Sequence, residues 1–150
     1  MRHAKRVSRI ALGVYHLLVG LGALGGGFGA IMDPSGGAMG ISTEVLRNAP
    51  FDDFLIPGLF LFVVIGVGNV CGAVSAFRGY AFQGYVTGAL SIVMVLWIGV
   101  QVYMLWEYNY LHVVYLFVGI GGAAWAAIIL ARRRLFPFNL FCPWRHVSDV

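Results

Sequence analysis

The sequence predicts an all-α protein: an integral membrane four-helix bundle with both termini in the cytoplasm and one long extracytoplasmic loop between helices one and two. Three observations predict it. Of the 150 residues, 60% are apolar and only 11% are charged, against about 25% charged in a typical soluble domain. The charges sit in short stretches between four apolar runs, each near the roughly 20 residues needed to cross the hydrocarbon of a bilayer. The basic residues also fall on alternate connections. With both termini on one side, that side collects Arg2, Lys5, Arg6, Arg9, Arg78, Arg132, Arg133, Arg134 and Arg145, and the other holds Arg47 alone. Basic residues concentrate on the cytoplasmic side of membrane proteins, which sets the orientation. A chain of this length suits one domain, residues 1–150.

The first element follows a basic leader, Met1–Arg9, and runs from about Ile10 to Met32. It is longer than the apolar core of a secretory signal, about 7–15 residues, and is expected to be helix one. Gly13, His16, Gly20, Ala23 and Gly27 form a small face at spacings of three and four. Residues 33–53 form the longest loop, with a turn at Asp33-Pro34-Ser35-Gly36-Gly37 and a short interfacial helix predicted at Ser42–Leu46. Helix two is expected over 54–77. Asp52 or Asp53 can cap its start, where free N–H groups and the helix dipole favour a negative oxygen. Pro57 falls near its first turn, where a missing N–H costs least. Its small or polar stripe is Gly58, Leu61, Ile65, Gly68, Asn69, Gly72 and Ser75.

Residues 78–83 make a tight turn into helix three, 84–106, whose predicted seam is Gly84, Gly88, Ser91, Val95, Gly99 and Val102. Gln101 lies off that seam, on the side of Thr87 and Met94. Helix four, 111–131, carries Tyr115, Gly119, Gly122, Ala123 and Ala126 on one face and ends at Arg132-Arg133-Arg134. An aromatic cytoplasmic tail, 135–150, follows, suited to the headgroup layer. Lipid tails are as apolar as leucine, so no hydrophobic effect pulls membrane helices together. Close van der Waals contact does, and small residues permit it. The GxxxG pairs Gly68/Gly72 and Gly84/Gly88 are therefore expected seams within the bundle, or toward other membrane subunits or a second copy.

Polar side chains fall in two layers. Near the basic end are His16, Asn69, Cys71, Ser75 and Thr87. Counting at 1.5 Å per residue places His16 and Cys71 each roughly 9 Å inside the boundary, so helices one and two can bring them together. This layer reads either as a cofactor-binding ring or as ordinary interhelical hydrogen bonding. Near the other end are Gln101, Tyr103, Glu107, His112 and Tyr115, with Asp33, Asp52 and Asp53 from the loop. A carboxylate beside an imidazole, such as Glu107 and His112, can move a proton or hold a cation. Such a pair also serves as a plain interfacial cap.

Several function classes are disfavoured. The formal charge of +4 is spent at helix ends, which argues against nucleic acid as a partner. Cys71 and Cys142 form no CxxC pair, against a thiol–disulfide or zinc-ribbon site. No catalytic or metal-ligand motif is visible, since a metal needs three or four converging ligands. No cofactor is specified. The glycines at 25–29 end a membrane helix and lack the preceding strand of a phosphate loop.

The basic start RIALGVYHLLVGLGAL, the DPSG loop and PFDDFLIPGLFLFVVIGVGN together resemble the DoxX-like group of small four-helix bacterial membrane proteins. The likeness is one of layout, over about residues 9–131. It implies a bacterial cytoplasmic membrane location and a role beside redox systems, including quinone-linked ones. Asn69 and Gly72 stand where that group commonly pairs an acid with a glycine. The expected function is an accessory or assembly subunit of a larger membrane complex rather than an enzyme. The alternative is a quinone- or lipid-binding protein or enzyme, with a site at the outer mouth built from Gln101, Glu107, His112 and Tyr115, or at the inner layer from His16 and Asn69.

Overall fold

A computed structural model describes residues 2–105 and 110–137. All regular structure among them is helical. Four helices are long and apolar enough to cross a bilayer: α1 (Arg2–Met32), α2 (Leu55–Arg78), α3 (Gln83–Leu105) and α4 (Tyr110–Arg132). The chain is a small polytopic membrane protein. Its helices pack as two hairpins, α1 on α2 and α3 on α4, with a slighter contact between α2 and α3. Large apolar side chains such as Leu18, Phe28, Leu96 and Phe117 are turned outward, as a lipid solvent allows.

Helix α1 starts earlier than the apolar run suggests, because the basic leader is helical too. At 31 residues it is about 46 Å long, more than the roughly 30 Å hydrocarbon. Its predicted small face holds: Gly13, His16, Gly20, Ala23 and Gly27 are all buried. A Cβ at Gly27 would lie 2.6 Å from the Phe62 nitrogen and 2.8 Å from the Gly58 oxygen, and one at Gly58 would lie 2.6 Å from the Ala30 Cβ. Backbone therefore meets backbone along this seam.

Helix α2 is continuous but not uniform. Leu55–Phe60 is α-helical, Leu61–Val67 widens into a π-helical stretch, and Gly68–Arg78 returns to α. The N-cap position is taken by Phe54, which makes no side-chain cap, but Asp53, one residue earlier, still accepts from the first helical N–H, that of Leu55, at 2.9 Å. At the far end Gly79 takes φ 68°, and the N–H groups of Gly79 and Tyr80 donate to the Ala76 and Ser75 carbonyls at 3.0 and 3.1 Å, a glycine-terminated stop. The Arg9 guanidinium of α1 donates to the Ala76 and Phe77 carbonyls. A cation there meets the negative end of the helix dipole.

The α1–α2 loop folds back over the bundle end. Asp33 accepts from the Ser35 hydroxyl at 2.5 Å and the Ala38 N–H at 2.7 Å, which holds its carboxyl below the usual aspartate range. Two 3-10 turns follow, Gly37–Met39 and Thr43–Leu46, the second capped by Ser42. The Phe54 N–H donates to the Pro34 carbonyl at 2.9 Å, which ties the loop's ends together. Leu46 and Phe54 bury against Ala30, with Met39, Val45, Ala49 and Leu105 around them.

The predicted seam of α3 needs correction. Gly84 and Ser91 are buried, but Gly99 is exposed with open space around it. The buried line is Gln83, Gly84, Thr87, Ser91, Met94, Ile98 and Met104, the side that also carries Gln101. Helix α4 buries Gly119, Gly122 and Ala126 as expected.

Candidate functional site

The polar layer near the basic end is assembled by all four helices. His16 is 0% exposed and sits between α2 and α3. The Asn69 amide nitrogen donates to the Ile65 carbonyl at 2.8 Å, so its oxygen is the atom facing His16, and His16 Nδ1–H donates to it at 2.7 Å. On the other side of the ring, Nε2 lies 3.0 Å from Thr87 Oγ1. That hydroxyl also reaches the Gln83 carbonyl at 2.8 Å, so its single proton serves one acceptor or the other. The neighbouring Tyr15 hydroxyl donates to the Val118 carbonyl of α4 at 3.1 Å. With that proton committed, Ser91 is the donor in the 3.4 Å contact between Ser91 and Tyr15.

Sequence reasoning brings His16, Asn69 and Thr87 together correctly. It fails on Cys71, which is exposed on the opposite side of α2, two positions from Asn69 and so across the helix. It misses Tyr15 and Gln83, although Tyr15 adjoins His16 in sequence. Ser75 is buried as expected, but its hydroxyl and the Gln83 amide oxygen have no hydrogen-bond partner among the described residues. Both nitrogens of His16 are engaged, and among the described residues no cluster of three His, Cys, Asp or Glu side chains could hold a metal. This layer ties the four helices together through side-chain hydrogen bonds.

Open space lies at the other end. A cavity of about 300 Å³ sits between the hairpins, at the small end of the range for ligand pockets. Gly22, Gly26 and Ala30 of α1 and Gly58, Leu61 and Ile65 of α2 form one side. Met94, Trp97, Ile98 and Gln101 of α3 and Leu111, His112 and Tyr115 of α4 form the other. Met39, Ile41 and Phe54 of the loop complete the wall. Trp97 stacks on Phe60 with ring centroids 4.3 Å apart. Three of the four residues expected to build an outer-mouth site, Gln101, His112 and Tyr115, line it together. The fourth, Glu107, lies outside the described residues, as does the tail beyond 137.

The other predicted members do not join them. Tyr103 points outward. Asp33 and Asp53 are engaged with loop and helix backbone, and Asp52 is exposed. The GxxxG glycines are also accounted for within the chain. A Cβ at Gly72 would meet His16 and Leu90, one at Gly68 would meet Leu90, one at Gly84 would meet Ile129 and Leu130, and one at Gly88 would meet Ala126. All four therefore face other helices of the same chain, Gly72 and Gly84 buried and Gly68 and Gly88 half-buried.

No known family, curated protein or solved structure matches this chain. The resemblance to the DoxX-like group thus finds no support there.

Proposed function

We propose that the protein binds a small lipid-soluble molecule in the cavity between its hairpins, with Gln101, His112 and Tyr115 orienting its polar end. The observation that carries this reading is the cavity itself: four helices and a loop enclose an apolar space into which three polar side chains converge. Ligand sites have this form, a mostly apolar concavity with few placed polar groups. A quinone or a lipid is the class of molecule that fits. The basic end is assigned to the cytoplasm by the positive-inside rule, which puts the cavity in the outer leaflet of a cytoplasmic membrane.

The accessory-subunit reading rests on small size, sparse intramembrane charge and small-residue faces, and of these the GxxxG glycines make contacts inside the chain. The test is mass spectrometry of small molecules released from protein purified out of native membranes in mild detergent. A molecule stoichiometric with the wild type and lost from Ile98→Trp, which fills the cavity, is expected. Equal recovery from both proteins, or none from either, refutes the proposal.

A further inference from the structure

We propose that the turn joining α2 to α3 is a site for the phosphate of an anionic phospholipid, held by Arg9, Arg78, Arg133 and Arg134. The site stands or falls independently of the cavity. Residues 76–81 draw guanidinium groups from three helices. Arg9 of α1 donates to the Ala76 carbonyl at 3.4 Å and to that of Phe77. Arg78, the last residue of α2, donates from Nη1 to the Tyr80 hydroxyl at 3.1 Å. Arg133, just past the end of α4, donates from Nη1 to the Ala81 carbonyl at 3.1 Å. A guanidinium carries five N–H groups in a fork that matches phosphate, and these bonds use only one or two on each. Their acceptors are neutral, so the bonds position the three groups without cancelling any charge.

Counter-charge is distant. The acids among the described residues are Asp33, Glu44, Asp52 and Asp53, and all lie in the α1–α2 loop. Helix α2, with 24 residues, separates that loop from the turn by about 36 Å. The end of α4 gives an independent sign. Both α2 and α4 stop on a residue in the left-handed region, Gly79 at φ 68° and Arg134 at φ 50°. The N–H groups of Arg134 and Leu135 donate to the Ala131 and Leu130 carbonyls, each at 3.0 Å, as those of Gly79 and Tyr80 do to Ala76 and Ser75. That conformation suits glycine and strains a residue with a Cβ. Glycine would make the better helix stop, so what arginine adds at this position is its charge.

The surroundings favour a lipid over a soluble anion. Tyr80 and Phe82 stack with ring centroids 5.3 Å apart, and both are exposed beside the arginines. Aromatic rings of this kind belong at headgroup level. A phosphate on the guanidiniums thus has an apolar surface beside it for the glycerol and the first acyl carbons. The positive-inside rule puts this end in the cytoplasm, where the leaflet carries anionic lipid.

The experiment is a lipid titration of the full chain, stripped of lipid in a neutral detergent and read by native mass spectrometry. The probes are phosphatidylglycerol and phosphatidylcholine with the same acyl chains. Phosphatidylglycerol should bind about tenfold more tightly or better, and Arg78→Gln and Arg133→Gln should each weaken it about fivefold. Arg47→Gln, an equal loss of charge in the opposite loop, should bind like wild type. Arg134→Gly should melt at a higher temperature yet bind less tightly, a pair of changes that a purely structural arginine would not give. Equal affinity for the two lipids overturns the proposal, as does a loss in Arg47→Gln matching that in Arg133→Gln. Displacement of the lipid by inorganic phosphate makes the turn a site for the free ion, and displacement by a hexaglutamate peptide makes it a face for acidic protein. Either displacement overturns the lipid.

Discussion

The two ends of the inter-hairpin space contrast sharply. Toward the basic termini, His16, Asn69, Thr87, Tyr15 and Ser91 fill it with hydrogen bonds that reach every helix. Toward the loop, the same four helices enclose about 300 Å³ of mostly apolar space. The difference follows from what a bilayer penalises. A polar group stranded in hydrocarbon costs several kcal/mol, so most of the polar groups at that end pair with one another or with backbone carbonyls. An apolar gap carries no such penalty when a lipid-soluble molecule can occupy it.

That contrast can be broken at several points. The strongest effect is expected at the α1–α2 seam that both ends share. Gly27→Leu drives a side chain into the backbone at Phe62 and Gly58 and should destabilise the protein by about 3 kcal/mol, the upper end for overpacking, in a denaturant titration in detergent. Asn69→Ala removes the acceptor from His16 and the donor from Ile65. It should cost about 2 kcal/mol, as buried groups left unpaired do. Thr87→Val should cost about 1 kcal/mol, within the range measured for interhelical hydrogen bonds in membranes. A double-mutant cycle joining it to Asn69→Ala should show coupling, because both act through one imidazole. At the cavity end Gln101→Leu should change stability by less than about 0.5 kcal/mol while weakening retention of the co-purifying molecule.

The slightest effect concerns pH. Asp33 titrates below its ordinary value of 3.8 because the folded loop hydrogen-bonds its carboxylate. Its contribution is complete above that value and disappears as pH falls through the lower folded one. Hydrogen exchange at Ala38 should quicken, relative to the intrinsic rate, only in that acid range, and Asp33→Asn should abolish the change.

Much of this was legible in the sequence. Four spans, the small faces of α1 and α4 and the stripe of α2 all follow from glycine, alanine and polar spacing, because close approach leaves a compositional mark. The inner face of α3 did not follow. Past Ser91 its small residue, Gly99, looks into lipid, while Met94 and Ile98 look inward. In a bilayer an inward isoleucine and an outward leucine carry no distinguishing signal. The π-helical stretch Leu61–Val67 left no mark either, since no proline or polar residue announces it. Gln101, His112 and Tyr115 were identifiable as an outer group. The space between them was not, because volume depends on how far apart two hairpins settle.

The Arg9 clasp on α2 bears on how the chain is made. Synthesis delivers the N-terminal half first, and that half already contains its own fastening: a guanidinium on two carbonyls and a glycine seam that needs nothing from later residues. The first pair can thus be locked before the ribosome has finished the second. The later pair then has to find its berth by matching Thr87 and Ser91 to side chains already waiting.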